Sequence, residues 1–246
     1  MLEGYDLVDA ALQSGVEFEA LFVDAAFVDE APWAALIGRA GEAGVRVFAL
    51  ERGVSDKVAD TQTPQPVLGA VRFSSPEVTS LHAGGLVLVL HEVRDPGNAG
   101  TIIRSADAAG VDAVIFTGRS VDPYNPKTLR ASAGSVFHLP IAVGELETAL
   151  THFRAEGART WATILDAPLE LRGVDLSGAN VVVIGNEGAG LDAASVAECD
   201  SSLRIAMSGR SESLNAGVAA SLIAFRAMWQ RQDAVAPPPG PNLGGL

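Results

Sequence analysis

Apolar residues along the chain follow two spacings, and the changes between them mark out elements. Leu7, Val8, Ala11 and Leu12 recur at helical spacing, and EFEALFVD after them reads as a strand ending at Asp24. A second unit follows the same plan. Trp33, Leu36, Ile37 and Ala40 mark a helix, Val45 to Ala49 a buried strand, and SDKVAD a short helix with Ser55 as its cap. The segment DTQTPQPVLGAVRFSSPE, rich in Pro, Thr and Ser, predicts a short strand between loops, with a boundary between about Ser74 and Gly84. This places one domain over residues 1–76 and a second over 84–232.

From Gly85 the units lengthen. LVLVLHEV predicts a buried strand, Ala99 to Gly110 a helix with one apolar face and a terminal glycine, and DAVIFTG another strand. Further strands are expected at Leu139 to Val143, Thr160 to Leu165, Val181 to Ile184 and Leu203 to Ala206, and a last helix from about Leu214 to Gln232. Continuous apolar strands beside short crossover helices imply an α/β domain with a mainly parallel sheet. Residues 233–246, with the run APPPGPNLGGL, read as a disordered tail. No internal repeat is visible.

Composition narrows the function classes. A 246-residue chain that is 48% hydrophobic can bury one large core or two modest ones. Its longest apolar stretch, Gly85 to Leu90, is far shorter than the roughly 20 residues of a membrane span, and MLEGYDLVDA lacks the plan of a signal peptide. A soluble, cytoplasmic protein is expected. Cys199 is the only cysteine, which excludes an internal disulfide and a thiolate metal cluster; His82, His91, His138 and His152 lack ligand spacing, so no metal site is expected. The formal charge of −13 weighs against a nucleic-acid partner, whose phosphates are bound largely by Lys and Arg. Net charge is not charge distribution, however, and a local arginine cluster can supply a basic face.

Three stretches carry candidate chemistry. In HEVRDPGNAGTIIRSADAAG a strand ends at the turn Asp95-Pro96-Gly97-Asn98, and Arg104 lies about one and a half turns into the next helix. Asn98 and Arg104 can then face the sheet's C-terminal edge, where α/β sheets bind ligands; a capped turn with Arg104 paired to a surface acid explains the same residues. In VVVIGNEGAGLDAA a strand delivers the chain to Gly185-Asn186-Glu187-Gly188-Ala189-Gly190, whose glycines permit close backbone approach to a ligand. Gly188, Gly190 and Ala193 also match G-x-G-x-x-A, the dinucleotide pattern, but three residues late and with Glu187 intruding. In LRIAMSGRSESLNAGVAASLIAFRAMW a polar loop, Ser208 to Glu212, precedes a helix opening at Ser213-Leu214-Asn215. Small residues line its first turns, and Gly217 there costs roughly 1 kcal/mol relative to alanine, consistent with a backbone or ligand against that surface. Tight helix packing explains it equally.

In this order and spacing, N-A-G-T-I-I-R, I-G-N-E-G-A-G-L and S-L-N-A-G-V-A-A resemble the three motifs of the SpoU (TrmH-type) RNA ribose methyltransferases of the SPOUT superfamily. The resemblance covers about Gly85 to Trp229. The N-terminal part, including EGYDLVDAAL and SDKVADTQTPQPVLGAV, resembles the L30e-like substrate-binding domain that precedes many such enzymes. It implies an α/β SPOUT domain with a deep C-terminal trefoil knot, S-adenosylmethionine as cofactor, a homodimer, and methylation of a ribose 2'-hydroxyl in structured RNA, ribosomal RNA before transfer RNA. By the same resemblance Thr117, Gly118, Gly185, Asn186, Gly190, Ile205, Met207 and Leu214 hold the cofactor, Glu187, Ser213 and Asn215 organise the active loop, and Asn98 positions Arg104. Arg104 either accepts the hydroxyl proton or anchors a phosphate and stabilises developing alkoxide charge, since a guanidinium is a poor base near neutrality. The candidate phosphate contacts are Arg94, Arg104, Arg119, Lys127, Arg130 and Arg210, with a solvated helix face explaining Lys127 and Arg130 equally.

Ile205-Ala206-Met207 departs from the family's Ile-Pro-Met, and Ala216-Gly217 from the Val-Ser of many relatives; neither removes a polar group assigned to catalysis. The chain starts at Glu3-Gly4 where relatives have further N-terminal residues, so an incomplete or trimmed first strand is expected in the small domain. Two rival readings remain: an RNA-binding module without activity, and a nucleotide-dependent oxidoreductase built on the G-x-G-x-x-A match.

Overall fold

A computed structural model describes residues 1–58 and 64–235; the end of SDKVAD and most of the predicted tail lie outside the described residues. The first unit runs β1 (Leu2–Glu3), α1 (Tyr5–Ser14), β2 (Phe18–Asp24), α2 (Trp33–Glu42), β3 (Val47–Leu50), α3 (Ser55–Val58) and β4 (Val67–Val71). Its strands form a four-stranded sheet in the order β1-β4-β2-β3, with β4 antiparallel to both neighbours and β3 parallel to β2. Helix α1 turns Leu7, Val8 and Ala11 inward and stops at Gly15, whose φ of 73° is the left-handed conformation that glycine adopts without penalty. Asp24 joins two connections at one end of the sheet, accepting from the amides of Ala26 (2.9 Å) and Gly53 (3.1 Å).

The second unit runs β5 (Leu86–His91), α4 (Pro96–Ala108), β6 (Ala113–Thr117), α5 (Pro126–Ser132), β7 (Ile141–Gly144), α6 (Leu146–Ala155), β8 (Arg159–Thr163), β9 (Leu169–Glu170), β10 (Asn180–Ile184), α7 (Ala193–Ala197), β11 (Ser201–Arg204) and α8 (Ala216–Val235). Its seven strands, ordered β7-β6-β5-β10-β8-β11-β9, are all parallel. The expected parallel α/β sheet is therefore present. Alternate residues of the central strands supply two cores: Leu86, Leu88, Leu90, Val114, Phe116 and Val182 meet α4 and α8, while Val87, Val89, Ile115, Val181 and Val183 meet α6.

Boundaries move where capping or pairing decides them. Helix α4 starts at Pro96 because the Asp95 carboxylate accepts from the Asn98 amide (2.8 Å) and proline suits a first helical turn. Helix α8 starts at Ala216, with Asn215 accepting from the Val218 amide (3.2 Å). Strand β11 ends at Arg204, the last residue with a partner on β9, so Ile205 and Ala206 leave the sheet instead of extending it. The first strand is two residues long and pairs with β4.

Close approaches join neighbouring helices and the two sheets. A side chain at Gly100 would strike Ala131 and lie 2.7 Å from the Thr128 carbonyl, so α4 and α5 touch backbone to backbone. Helix α5 reaches the first sheet, where Arg130 faces Glu3 at 3.7 Å and Phe73 stacks on Tyr124 (4.1 Å between centroids). One hydrophobic core runs through both sheets at this junction. Helix α8 is bracketed, with Ser221 bonded to Ser105 of α4 (2.7 Å) and Gln230 bonded to the Leu176 amide (2.7 Å) and the Val174 carbonyl (2.8 Å). No described helix is long and apolar enough to cross a membrane.

Candidate active site

From β5 the chain builds outward through β6 to β7, then returns to place β10 and β8 on the other side of β5. The crevice between the carboxyl ends of β5 and β10 is therefore a topological switch point, the usual ligand position in such sheets. The β5–α4 turn, the Gly185–Gly190 loop and the approach to α8 meet there.

The Gly185–Gly190 loop is braced from within. Asn186 and Gly190 exchange backbone hydrogen bonds (3.1 and 2.9 Å), and the Asn186 side-chain oxygen accepts from the amides of Gly188 and Ala189 (2.9 Å each). Its side-chain nitrogen donates to the Glu92 carbonyl at 2.9 Å. A Cβ on Gly185 would sit 2.5 Å from the carbonyl carbon of Gly190, and Gly190 itself has a φ of 69°. Both positions require glycine, one for space and one for conformation.

Three distant segments join through a chain of side-chain hydrogen bonds. Asn215 donates to the Asn98 oxygen (2.7 Å), and the Asn98 nitrogen donates to Glu187 (3.1 Å). Glu187 also accepts from the amides of Asp95 (3.0 Å) and Arg94 (3.2 Å). Burial pushes the Glu187 carboxyl up, but hydrogen bonds from Asn98 and surrounding backbone amides outweigh it and leave the group below the usual carboxylate range. A lowered folded-state pKa stabilises the network above the ordinary glutamate value, and that contribution disappears as pH falls through the lowered one. The melting-temperature gap between wild type and Glu187→Gln should accordingly stay constant from pH 8 to about 5 and shrink only below about 4. A gap already closing between pH 7 and 5 would contradict the assignment.

Beside this chain lies a cavity of about 800 Å³. Gly185, Asn186, Glu187 and Gly190 line it, as do Ile205, Met207, Ser213 and Leu214. Asn215 instead faces Asn98 outside the wall. Thr117 and Gly118 are not in the wall either, because β6 lies across β5 from β10; the Thr117 hydroxyl is engaged with His91 (2.9 Å). Sequence reasoning misses the floor: Thr163 to Asp166, at the end of β8, lines the cavity but carries no motif. The Thr163 hydroxyl oxygen is buried there without a hydrogen-bond partner.

Arg104 is exposed, with no ion pair or hydrogen bond among the described residues, so it is not the surface pair considered above. Nor does Asn98 hold it: six positions apart on one helix they point different ways, and Asn98 is occupied by Glu187 and Asn215. Lys127 and Arg210 are exposed. Arg94 pairs with Glu92 (2.7 Å), Arg119 lies 3.7 Å from the same carboxylate, and Arg130 is turned toward Glu3. The G-x-G-x-x-A match leads only into the five-residue α7, whose first turn is capped by Asp192 accepting from the Ser195 amide (2.8 Å). A pyrophosphate would meet a carboxylate there, which removes the basis of the oxidoreductase reading. Among the described residues, no group of three His, Cys, Asp or Glu side chains could hold a metal ion.

Residues 85–225, which contain all three segments, match the model of the SpoU rRNA Methylase family. The chain belongs to that family. Residues 1–69 match the MRM3-like substrate binding domain. The SpoU chain is 33% identical over 226 residues to the 23S rRNA (guanosine(2553)-2'-O)-methyltransferase RlmP of Bacillus subtilis, covering 92% of this chain and 86% of the relative. An AdoMet-bound rRNA methyltransferase from Sinorhizobium meliloti superposes with a TM-score of 0.82 at 32% identity, over 95% of this chain and 87% of the other. The SpoU methyltransferase AviRb from Streptomyces viridochromogenes, in complex with AdoMet, gives 0.84 at 28% identity, over 94% and 89%.

Proposed function

We propose that this SpoU protein transfers the methyl group of S-adenosylmethionine to a ribose 2'-hydroxyl in ribosomal RNA. The observation that carries the reading is the Asn215–Asn98–Glu187 hydrogen-bond chain, which fastens all three family segments to the rim of one ligand-sized cavity. The names of its relatives give the reaction and the RNA class.

The cavity fits the cofactor. Its volume falls within the roughly 300–1,000 Å³ of small-molecule sites, apolar walls from Ile184, Leu191 and Ile205 suit an adenine, and the backbone of Gly185 to Gly190 offers polar contacts. Asp166 stands in the same wall, where a carboxylate can accept from ribose hydroxyls. When bound, S-adenosylmethionine supplies an electrophilic methyl group. Ser213, Leu214 and Met207 line the cavity together with the glycine loop and restrict the orientation of what it holds. Alignment of this kind accounts for as much as roughly 7–11 kcal/mol of barrier reduction in displacement reactions.

Arg104 acts on the RNA. With no internal partner it is free to meet a phosphate and to stabilise negative charge on the ribose oxygen as the proton leaves to solvent. Arg94, Arg119, Lys127 and Arg210 widen the cationic rim. Arg130 belongs to the domain junction through Glu3.

Residues 1–76 form the L30e-like RNA-binding domain of this reading and 84–232 the catalytic one. A trefoil knot accords with α8 lying between α4 and the 171–176 segment. Homodimerisation accords with Val218, Leu222 and Trp229, large apolar residues exposed along one side of α8 beside Phe225. A cytoplasmic location accords with work on ribosomal RNA. Calorimetry should detect S-adenosylmethionine binding and none for NAD, and tritium from labelled cofactor should reach ribosomal RNA before transfer RNA. Cofactor binding with no transfer to either RNA would leave the inactive binding module as the better reading.

A further inference from the structure

Glu92, the residue after β5, has a φ of 59°, one of only two non-glycine residues in the left-handed region among those described. Such a backbone is costly for a residue with a side chain and natural for glycine. The carboxylate it carries is fully used. One oxygen accepts from the Arg94 guanidinium at 2.7 Å, and the other accepts from the backbone amide of Arg119 at 2.8 Å, with the Arg119 side chain 3.7 Å away. Gly118, at a φ of 63°, makes room for it: a Cβ there would lie 2.8 Å from the same oxygen. The backbone of Glu92 is tied as well, its amide donating to the Thr117 carbonyl (3.2 Å) and its carbonyl accepting from Asn186 of the glycine loop (2.9 Å).

Stability does not account for this arrangement. Both arginines are largely exposed, and exposed ion pairs contribute little, whereas glycine would hold the same backbone without strain. Strain kept at the rim of a binding site points to use. We propose that Glu92 is a positioning residue for RNA: its carboxylate sets Arg94 and the Arg119 loop side by side as one phosphate clamp, fastened to the cofactor loop through Asn186. One carboxylate shared by two guanidinium groups leaves a surplus positive charge, so the clamp still attracts a phosphate on a chain whose net charge is −13. The Arg94 and Arg119 hydrogen bonds hold the Glu92 carboxyl at about 2, so it stays ionised at any working pH.

This inference rests on the RNA reading above, and the test separates the two. Wild type, Glu92→Gly and Glu92→Gln are compared for melting temperature, S-adenosylmethionine affinity by calorimetry, and KM, kcat and salt dependence on an unmodified 23S ribosomal RNA transcript. Glu92→Gly should melt at or above the wild-type temperature and bind cofactor as before. Its KM for RNA should rise about tenfold with a smaller change in kcat, and its salt slope should flatten by about one. Glu92→Gln keeps an acceptor for the Arg119 amide and should show a smaller rise in KM. Unchanged KM and salt slope in both variants would overturn the inference, as would a joint fall in melting temperature and cofactor affinity, which would make Glu92 a structural residue. A wild-type chain that methylates no RNA overturns the underlying reading instead.

Discussion

Gly185→Val should weaken S-adenosylmethionine binding by about ten- to a hundredfold while the chain still folds. The position admits no side chain: the first carbon of one would lie 2.5 Å from the Gly190 carbonyl carbon and 2.7 Å from the Leu191 amide nitrogen. The tip of the loop cannot yield, because the Asn186 side chain holds the amides of Gly188 and Ala189. Relief must come from Gly190 and Leu191 moving away, and these residues form the cavity wall. Overpacking of this kind costs roughly 1–3 kcal/mol, felt at the ligand site because β10 behind it is buried in the central sheet. Gly188→Ala is the control, since its Cβ would meet nothing closer than the Asn186 side-chain oxygen at 3.6 Å. Calorimetry beside thermal melting checks both variants, and cofactor affinity equal to wild type in Gly185→Val would place the ligand elsewhere.

Arg104→Ala should slow methyl transfer by roughly 10²- to 10³-fold in single turnover and leave cofactor affinity unchanged. Arg104 stands on α4 outside the cavity wall, so its loss removes nothing that touches the cofactor. Its guanidinium has no internal carboxylate to hold it, unlike Arg94, Arg119 and Arg130, and is therefore available to the substrate. Arg104→Lys should fall between, because an ammonium keeps the charge but not the planar two-point grip on a phosphate. A lysine variant faster than wild type at high pH would favour proton acceptance over charge stabilisation. Near-normal transfer by the alanine variant would remove Arg104 from the mechanism.

The parallel sheet is legible in the chain because its central strands are buried on both faces and read as unbroken apolar runs, LVLVLH and NVVVI among them. Elements of two to five residues, such as β1, β9 and α7, are too short for any period to register. Asn98, Glu187 and Asn215 are legible as candidate site residues through the order of three motifs, although nothing local tells that they bond to one another. Thr163 to Asp166 is invisible for a different reason. Its place in the cavity follows from β8 being inserted between β10 and β11, a matter of strand order that no window of sequence contains. Thr117 and Gly118 lie outside this cavity by the same logic, at the end of a strand on the other side of β5. The cations also depend on the fold: Arg94 and Arg119 are far apart in sequence and share one carboxylate in space.

The central claim, transfer to a ribose hydroxyl, is tested most directly by the identity of the product. Ribosomal RNA incubated with the protein and cofactor carrying a deuterated methyl group can be digested to nucleosides and resolved by mass spectrometry. The label should appear in a 2'-O-methylnucleoside whose fragmentation leaves the base unlabelled. Label on a base, or label retained wholly in the cofactor while the protein binds RNA, would contradict the account.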